Sequence, residues 1–183
     1  MLRDLVVKNR SYRRFRQDVV ITKDTLRELV DLARLSASAG NRQALKFYLA
    51  CDPELNGQIF SLIGLAGNPT RAEAPTAYII ILGDTRISKS FGCDHGIAAQ
   101  SILLGATERG LGGCMVGMID RRRLRQALQI PGHYEILLVI VLGRPEETPV
   151  IDEVGAGGET RGWWDDRGVR HVPKRTLDDL IIN

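Results

Sequence analysis

Residues 10–16 read Arg-Ser-Tyr-Arg-Arg-Phe-Arg. This run of four arginines follows a short apolar segment made of Leu2, Leu5, Val6 and Val7. Arginine presents a charged planar fork of donors and serine adds a neutral one, so Arg10, Ser11 and Arg13 together suit a phosphate. Composition alone leaves two other readings open, a solvated surface and a nucleic-acid patch. The organisation of the rest of the chain has to decide among the three.

The chain has 183 residues, the size of one domain with a single core. Apolar residues make up 44% and charged residues 26%, the balance of a globular protein. A net charge of +3, from 25 basic and 22 acidic residues, is too small to argue for nucleic acid by itself. Cys51, Cys93 and Cys114 are far apart and form no CxxC pair, which speaks against a zinc site or a disulfide framework and for a reducing compartment. The N-terminus carries no long apolar segment, and the apolar runs, about eight residues at most, are too short for a bilayer. The expectation is a cytoplasmic protein with no membrane partner and no metal.

Residues 2–9 read as a short helix. Thr22, Asp24 and the Thr25-x-x-Glu28 pair start a second, in which Leu26, Leu29, Val30 and Ala33 recur at helical spacing to about Leu35. The small and polar run Ser36–Gln43 is a loop, and Phe47–Cys51 a strand. Pro53 opens a helix reaching about Leu65. Thr76–Leu82 is β-branched and apolar, which predicts a buried central strand. Residues 95–109 are apolar on nearly every side, so the helix there is expected to be buried all round, in part against a second subunit. Asp120 caps a helix from Arg121 to Gln129, and Ile136–Leu142 is a second central strand. Arg121, Arg122, Arg123 and Arg125 read as that helix's solvent face, with a nucleic-acid patch as the alternative. From Pro145 to Pro173 the apolar pattern fades into a long irregular tail. Its tryptophans, Trp163 and Trp164, and its apolar end argue that it docks on something.

Motifs that display their own chemistry are absent. There is no P-loop, no complete GxGxxG, no GxSxG elbow and no HExxH. Asp94-His95 is the only adjacent acid–imidazole pair and suits a helix start better than a dyad. No catalytic side chain stands out, so in an enzyme a cofactor would carry the chemistry. Five motifs follow in order: Arg10-Ser11-x-Arg13; Ser38-x-x-Asn41-x-Gln43; Gly110-Leu-Gly-Gly-Cys-Met-Val-Gly117; Leu142-Gly-Arg-Pro-Glu146; and Pro173-Lys174-Arg175. In this order and spacing the chain resembles the FMN-dependent nitroreductase family, short-chain type, from about Leu5 to Leu180.

The resemblance implies an α+β sandwich with a mostly antiparallel central sheet covered by helices. It also implies an extended C-terminal arm exchanged in a homodimer that carries FMN at its interface. Residues 1–145 would be the FMN-binding core, and 146–183 an arm of the same domain packing on the partner subunit. Arg10, Ser11 and Arg13 would hold the phosphate and ribityl chain. Ser38, Asn41 and Gln43 would reach the flavin from the other subunit. Backbone groups of Met115, Val116 and Gly117 would pass along the ring near N5, and Lys174 and Arg175 would add to the phosphate site. Asn41 and Gln43 offer the amides a flavin edge needs, and Gly112, Gly113 and Gly117 are small enough for close backbone approach. The implied activity is ping-pong hydride transfer from NAD(P)H through flavin N5 to an electron-poor acceptor such as a nitroaromatic or quinone. The alternatives are a flavin-binding protein of this fold with a specialised or no reductase activity, and a basic nucleic-acid-binding domain.

Overall fold

The run Ala77–Asp84, forming strand β3, is buried at every position, as its apolar and β-branched composition predicts. A strand covered on both faces requires a layer on each side. The computed structural model supplies them, and it describes residues 1–155 and 157–183. The chain divides into two units, Met1–Pro145 and Glu146–Asn183.

In the first unit β3 pairs antiparallel with β2 (Leu45–Ala50) and with β5 (Tyr134–Pro145). β5 also pairs antiparallel with β4 (Gly112–Val116) and with the two-residue β1 (Phe15–Arg16). Alternation along the strands sends side chains to two cores. Ile79, Ile81, Ile140 and Leu142 pack with Leu26 and Leu29 of α2 (Lys23–Leu35) and Ile102 and Leu103 of α4 (Asp94–Glu108). Tyr78, Ile80, Val139 and Val141 pack on the opposite face with Ile59 of α3 (Pro53–Phe60) and Leu124 of α5 (Arg121–Ala127). Each fully buried isoleucine contributes roughly 1.5–3 kcal/mol. The hydroxyl of Thr22 caps α2 by accepting from the Thr25 amide, and Asp52 and Asp120 cap α3 and α5 in the same manner. The first helix, α1 (Leu2–Lys8), buries none of its residues.

Two expectations change. The helix from Pro53 stops at Phe60, because Leu62–Gly64 pairs instead with the segment after β4. There the Gly64 amide donates to the Met118 carbonyl at 2.8 Å, and the Asp120 amide to that of Leu62 at 2.9 Å. α4 keeps Ile97 and Gln100 on an open strip within this one chain, the side left for the expected second subunit. The tail is not irregular. In the second unit, β6 (Pro149–Val154) runs parallel to β8 (Arg170–Arg175), and β7 (Trp163–Trp164) pairs antiparallel with β8. His171 ties these strands together. Its Nδ1 lies 2.8 Å from Asp152 Oδ2, and its ring stacks on Trp163 at 3.9 Å. Among the described residues, no helix is long and apolar enough to cross a membrane.

Candidate functional site

After α1 the chain extends at Asn9 and runs beside β4. Ser11 forms a parallel bridge with Gly113, and the Tyr12 amide donates to the Gly113 carbonyl at 3.0 Å. Tyr12 is a residue the sequence reading missed. Its hydroxyl donates to the Lys8 carbonyl at 2.8 Å, and its ring fills the space a side chain on Gly112 would need. The arginine segment is thereby fixed to the same strand that carries Met115.

The four arginines take separate tasks. Arg10 donates through its guanidinium to the Val6 carbonyl, while its buried Nε has no hydrogen-bond partner. Arg13 donates to the Ser11 carbonyl at 3.1 Å. Arg14 pairs with Glu73 at 3.2 Å and Arg16 with Asp18, so these two neutralise neighbouring carboxylates at the surface. The hydrogen bonds from Arg16 hold the Asp18 carboxyl below its usual range.

On β4, Cys114 and Val116 point into the core shared with α3 and α5. Met115 faces the other way and is 37% exposed. Gly117 is exposed, with open space where a side chain would begin. Close backbone approach is therefore open at Gly117. Gly112 and Gly113 are small for a different reason: side chains there would run into Tyr12 and Pro145, and into the Val141 carbonyl and Leu103.

The Ser38–Gln43 loop is a short 3-10 turn whose backbone enters the left-handed region at Gly40, Asn41 (φ 52°) and Gln43 (φ 51°). Asparagine tolerates this region; glutamine does so at a cost that the surroundings must offset. The surroundings are specific. The amide of Ala39 donates to Asp94 Oδ1 at 2.9 Å, and Asp94 is buried at the start of α4. Ser38 Oγ accepts from the Gln43 amide at 3.3 Å, and Gln43 Nε2 donates to Asn41 Oδ1 at 3.2 Å. The Asn41 and Gln43 side chains are exposed, and Gln43 lines a cleft of about 210 Å³ between α2, β2 and α4.

The structure brings Arg10–Arg13 together with β4, but not with this loop. Gly113 pairs with Leu142, whereas Leu45, just after the loop, pairs with Gly83, which pairs with Glu135. Leu142 and Glu135 lie at opposite ends of β5, a separation of roughly 24 Å at ~3.4 Å per residue. Lys174 and Arg175 belong to the second unit, where they are exposed at the end of β8.

The arginines on α5 are not one solvent face. Arg121 donates to the carbonyls of Ile136 (3.0 Å), Leu137 (3.4 Å) and Gly117 (3.5 Å). Arg125 donates to those of Ile130, Pro131 and Tyr134. Among the described residues no group of three His, Cys, Asp or Glu side chains could hold a metal. Among the described residues, the tight acid–imidazole pair Asp152–His171 has its second ring nitrogen turned toward Asp165 at 3.7 Å.

Comparison with known proteins gives the family. The Nitroreductase family model matches residues 6–75 and 64–144. This chain belongs to the nitroreductase family. Among relatives, an NADPH-flavin oxidoreductase of Vibrio harveyi is 23% identical over 165 residues, covering 81% of this chain and 67% of the relative. A 5,6-dimethylbenzimidazole synthase of Rhodospirillum rubrum is 26% identical over 183 residues, covering 84% of each. The fold matches that of an FMN-dependent nitroreductase from Clostridium difficile R20291 at 24% identity and a TM-score of 0.67, over 78% of this chain and 87% of that one. The α+β nitroreductase fold expected from the motifs is thus the fold of this family member.

Proposed function

We propose that this nitroreductase-family chain is an FMN-dependent NAD(P)H oxidoreductase. The observation that supports the reading is the join between Tyr12 and Gly113, which ties the Arg10–Arg13 segment to β4, the strand that leads into Met115–Gly117. The residues suit the group. Two guanidinium groups and a hydroxyl match a phosphate, and the unpartnered Arg10 Nε is a donor lacking an acceptor. The ordered amides of Asn41 and Gln43 match a heterocycle edge with alternating donors and acceptors.

Bound FMN would supply the redox chemistry, hydride acceptance from reduced nicotinamide and delivery of reducing equivalents to an electron-poor acceptor such as a nitroaromatic or quinone. The chain's own residues bind and orient. Arg10, Ser11 and Arg13, with Lys174 and Arg175, would hold the phosphate end. Met115, Val116 and Gly117 would present backbone groups to the ring, and Arg121 would steady the Gly117 carbonyl.

On one chain the Arg10–Arg13 segment and the Ser38–Gln43 loop lie toward opposite ends of the sheet, which supports a homodimer in which Ser38, Asn41 and Gln43 come from the partner. The apolar side chains Leu177, Leu180, Ile181 and Ile182, exposed in the second unit, support a C-terminal arm that packs on that partner. The test is optical. The purified protein is expected to carry or take up FMN and to bleach anaerobically with NADH or NADPH. A protein that cannot bind FMN would sink the reading.

The likeness to a 5,6-dimethylbenzimidazole synthase favours a second reading, the same cofactor site used for a specialised reaction. Bound flavin that neither nicotinamide bleaches would favour it. The nucleic-acid reading loses its support, because Arg121 and Arg125 are spent on backbone carbonyls and Arg14 and Arg16 on carboxylates.

A further inference from the structure

His171 is the residue at which the three strands of the second unit meet. Its backbone pairs with Val150 of β6 and with Trp163 of β7. Its side chain, 19% exposed, sits between two carboxylates. Nδ1 lies 2.8 Å from Asp152 Oδ2 and Nε2 lies 3.7 Å from Asp165 Oδ2, while the ring stacks on Trp163 at an interplanar angle of 6°. Asp165 is itself held, because its Oδ1 accepts from the amides of Val169 at 2.8 Å and Arg167 at 2.9 Å. These bonds, that of Val169 foremost, keep the Asp165 carboxyl below its usual range. Arg170, next to His171 on β8, lies over the Trp164 ring at 5.7 Å.

Asp152 from β6 and Asp165 beyond β7 are thus the charges that the imidazole meets. A neutral ring carries one proton and satisfies one of them, and its other nitrogen then turns a lone pair toward the second. A protonated ring donates from both nitrogens, and its charge also suits the face of Trp163. Among the described residues of the second unit none is buried, so no apolar core of its own backs up this contact.

We propose that His171 is a pH latch: its protonated ring holds β6, β7 and β8 together, and loss of that proton loosens the second unit. The charged ring gains both partners only in the folded sheet, so its contribution is present in acid and is lost as pH rises. The strand it governs ends in Lys174 and Arg175. The latch lies within the second unit and does not depend on the flavin reading.

The test follows amide hydrogen exchange in the full chain from pH ~5 to ~8, the range in which histidine changes charge. Protection, corrected for intrinsic rates, is expected to fall about tenfold in β6 and β8 while that of β3 stays unchanged. The fall should coincide with movement of the His171 ring signals in the same samples. Asp165→Asn is the decisive variant. The introduced side-chain oxygen can still accept from Val169 and Arg167, but the introduced amide nitrogen faces Nε2 and suits a neutral ring. In that variant, protection at pH ~8 is expected to match or exceed that at pH ~5. The proposal is overturned if the parent's second unit ignores pH, if its protection falls without the His171 signals moving, if β3 loses as much, or if Asp165→Asn keeps the full fall.

Discussion

The Tyr12 amide donates to the Gly113 carbonyl at 3.0 Å, and with the Ser11–Gly113 bridge this bond joins two segments a hundred residues apart in sequence. Its geometry depends on Gly113 having no side chain, because a methyl there would overlap the Val141 carbonyl oxygen and crowd Leu103. Overpacking at such a site costs ~1–3 kcal/mol. Gly113→Ala is therefore expected to lower the thermal midpoint and to weaken FMN retention together. Thermal unfolding and flavin occupancy on the same sample check this, and a variant that keeps full occupancy would show that the join does not shape the cofactor site.

Asp84 is buried while its partner Arg86 is 62% exposed. Arg86 grips the carboxylate with two donors, Nε at 3.0 Å and Nη2 at 2.8 Å. These bonds pull the Asp84 carboxyl down to about 2. A carboxyl that is more acidic folded than unfolded stabilises the fold above its unfolded pKa of about 3.9, and that contribution fades as pH falls toward the folded value. Asp84→Asn should thus lower the urea midpoint clearly at pH 7, with the gap to the parent narrowing between pH ~4 and ~2. A gap that stays constant over that range would mean that the ionised carboxylate is not what the pair contributes.

Periodicity and caps were enough to read α2, β3 and β5, because Leu26, Leu29 and Ala33, and the unbroken run Tyr78–Leu82, carry strong local signals. β4 was not readable as a strand. Gly-Gly-Cys-Met-Val has weak strand propensity and owes its conformation to pairing with Leu142–Val139, which is remote in sequence. The small sheet of the second unit was hidden by the brevity of β7, by Pro173 within β8, and by a hub, His171 with Asp152 and Trp163, assembled from three strands. In the candidate site the residue types in Arg10–Arg13 and Ser38–Gln43 were legible. Tyr12 as the lock of the arginine segment and Asp94 as the loop's anchor were not, since Tyr12 acts through its own amide and Asp94 on that of Ala39, and such backbone bonds leave no sequence pattern.

Arg121 and Arg122 are neighbours with different tasks, which a run of arginines cannot reveal in sequence. Arg121 reaches three backbone carbonyls, one of them that of Gly117. Hydrogen bonds from a charged donor are worth ~1.5–3 kcal/mol each when removal leaves the acceptors unpaired, and less where water can replace them. Arg121→Ala is expected to cost about 2 kcal/mol in denaturant unfolding, whereas Arg122→Ala should stay within about 0.5 kcal/mol of the parent. If Arg121 steadies the ring-side backbone as proposed, Arg121→Ala will also shift the absorbance of bound flavin. Equal stability for the two variants would remove the distinction between them.

Tyr78 is fully buried, and its hydroxyl has no hydrogen-bond partner. Burial alone pushes the phenol's pKa above its usual value, so the group stays neutral throughout the working pH range. Deleting an unsatisfied buried hydroxyl while keeping the ring removes a desolvation cost without opening a cavity. Tyr78→Phe is expected to leave stability unchanged or to raise it by about 1 kcal/mol. A loss of stability greater than that would mean that the hydroxyl has a partner, such as an internal water, worth keeping.

The separation of Gly113 from the Ser38–Gln43 loop along the sheet makes the shared site testable by mixing. One variant carries Arg10→Ala and Arg13→Ala, and the other carries Asn41→Ala and Gln43→Ala. Each alone is expected to retain FMN poorly, since both of its sites lack one half. In a mixed two-fold dimer one site combines both lesions, and the other combines two intact halves. Random exchange makes about half the dimers mixed, so about a quarter of the parent's sites should return on unfolding and refolding the two variants together. Flavin content after co-refolding measures this directly. If each site were built within one chain, co-refolding would restore nothing, and Ser38, Asn41 and Gln43 would have to be removed from the proposed interface.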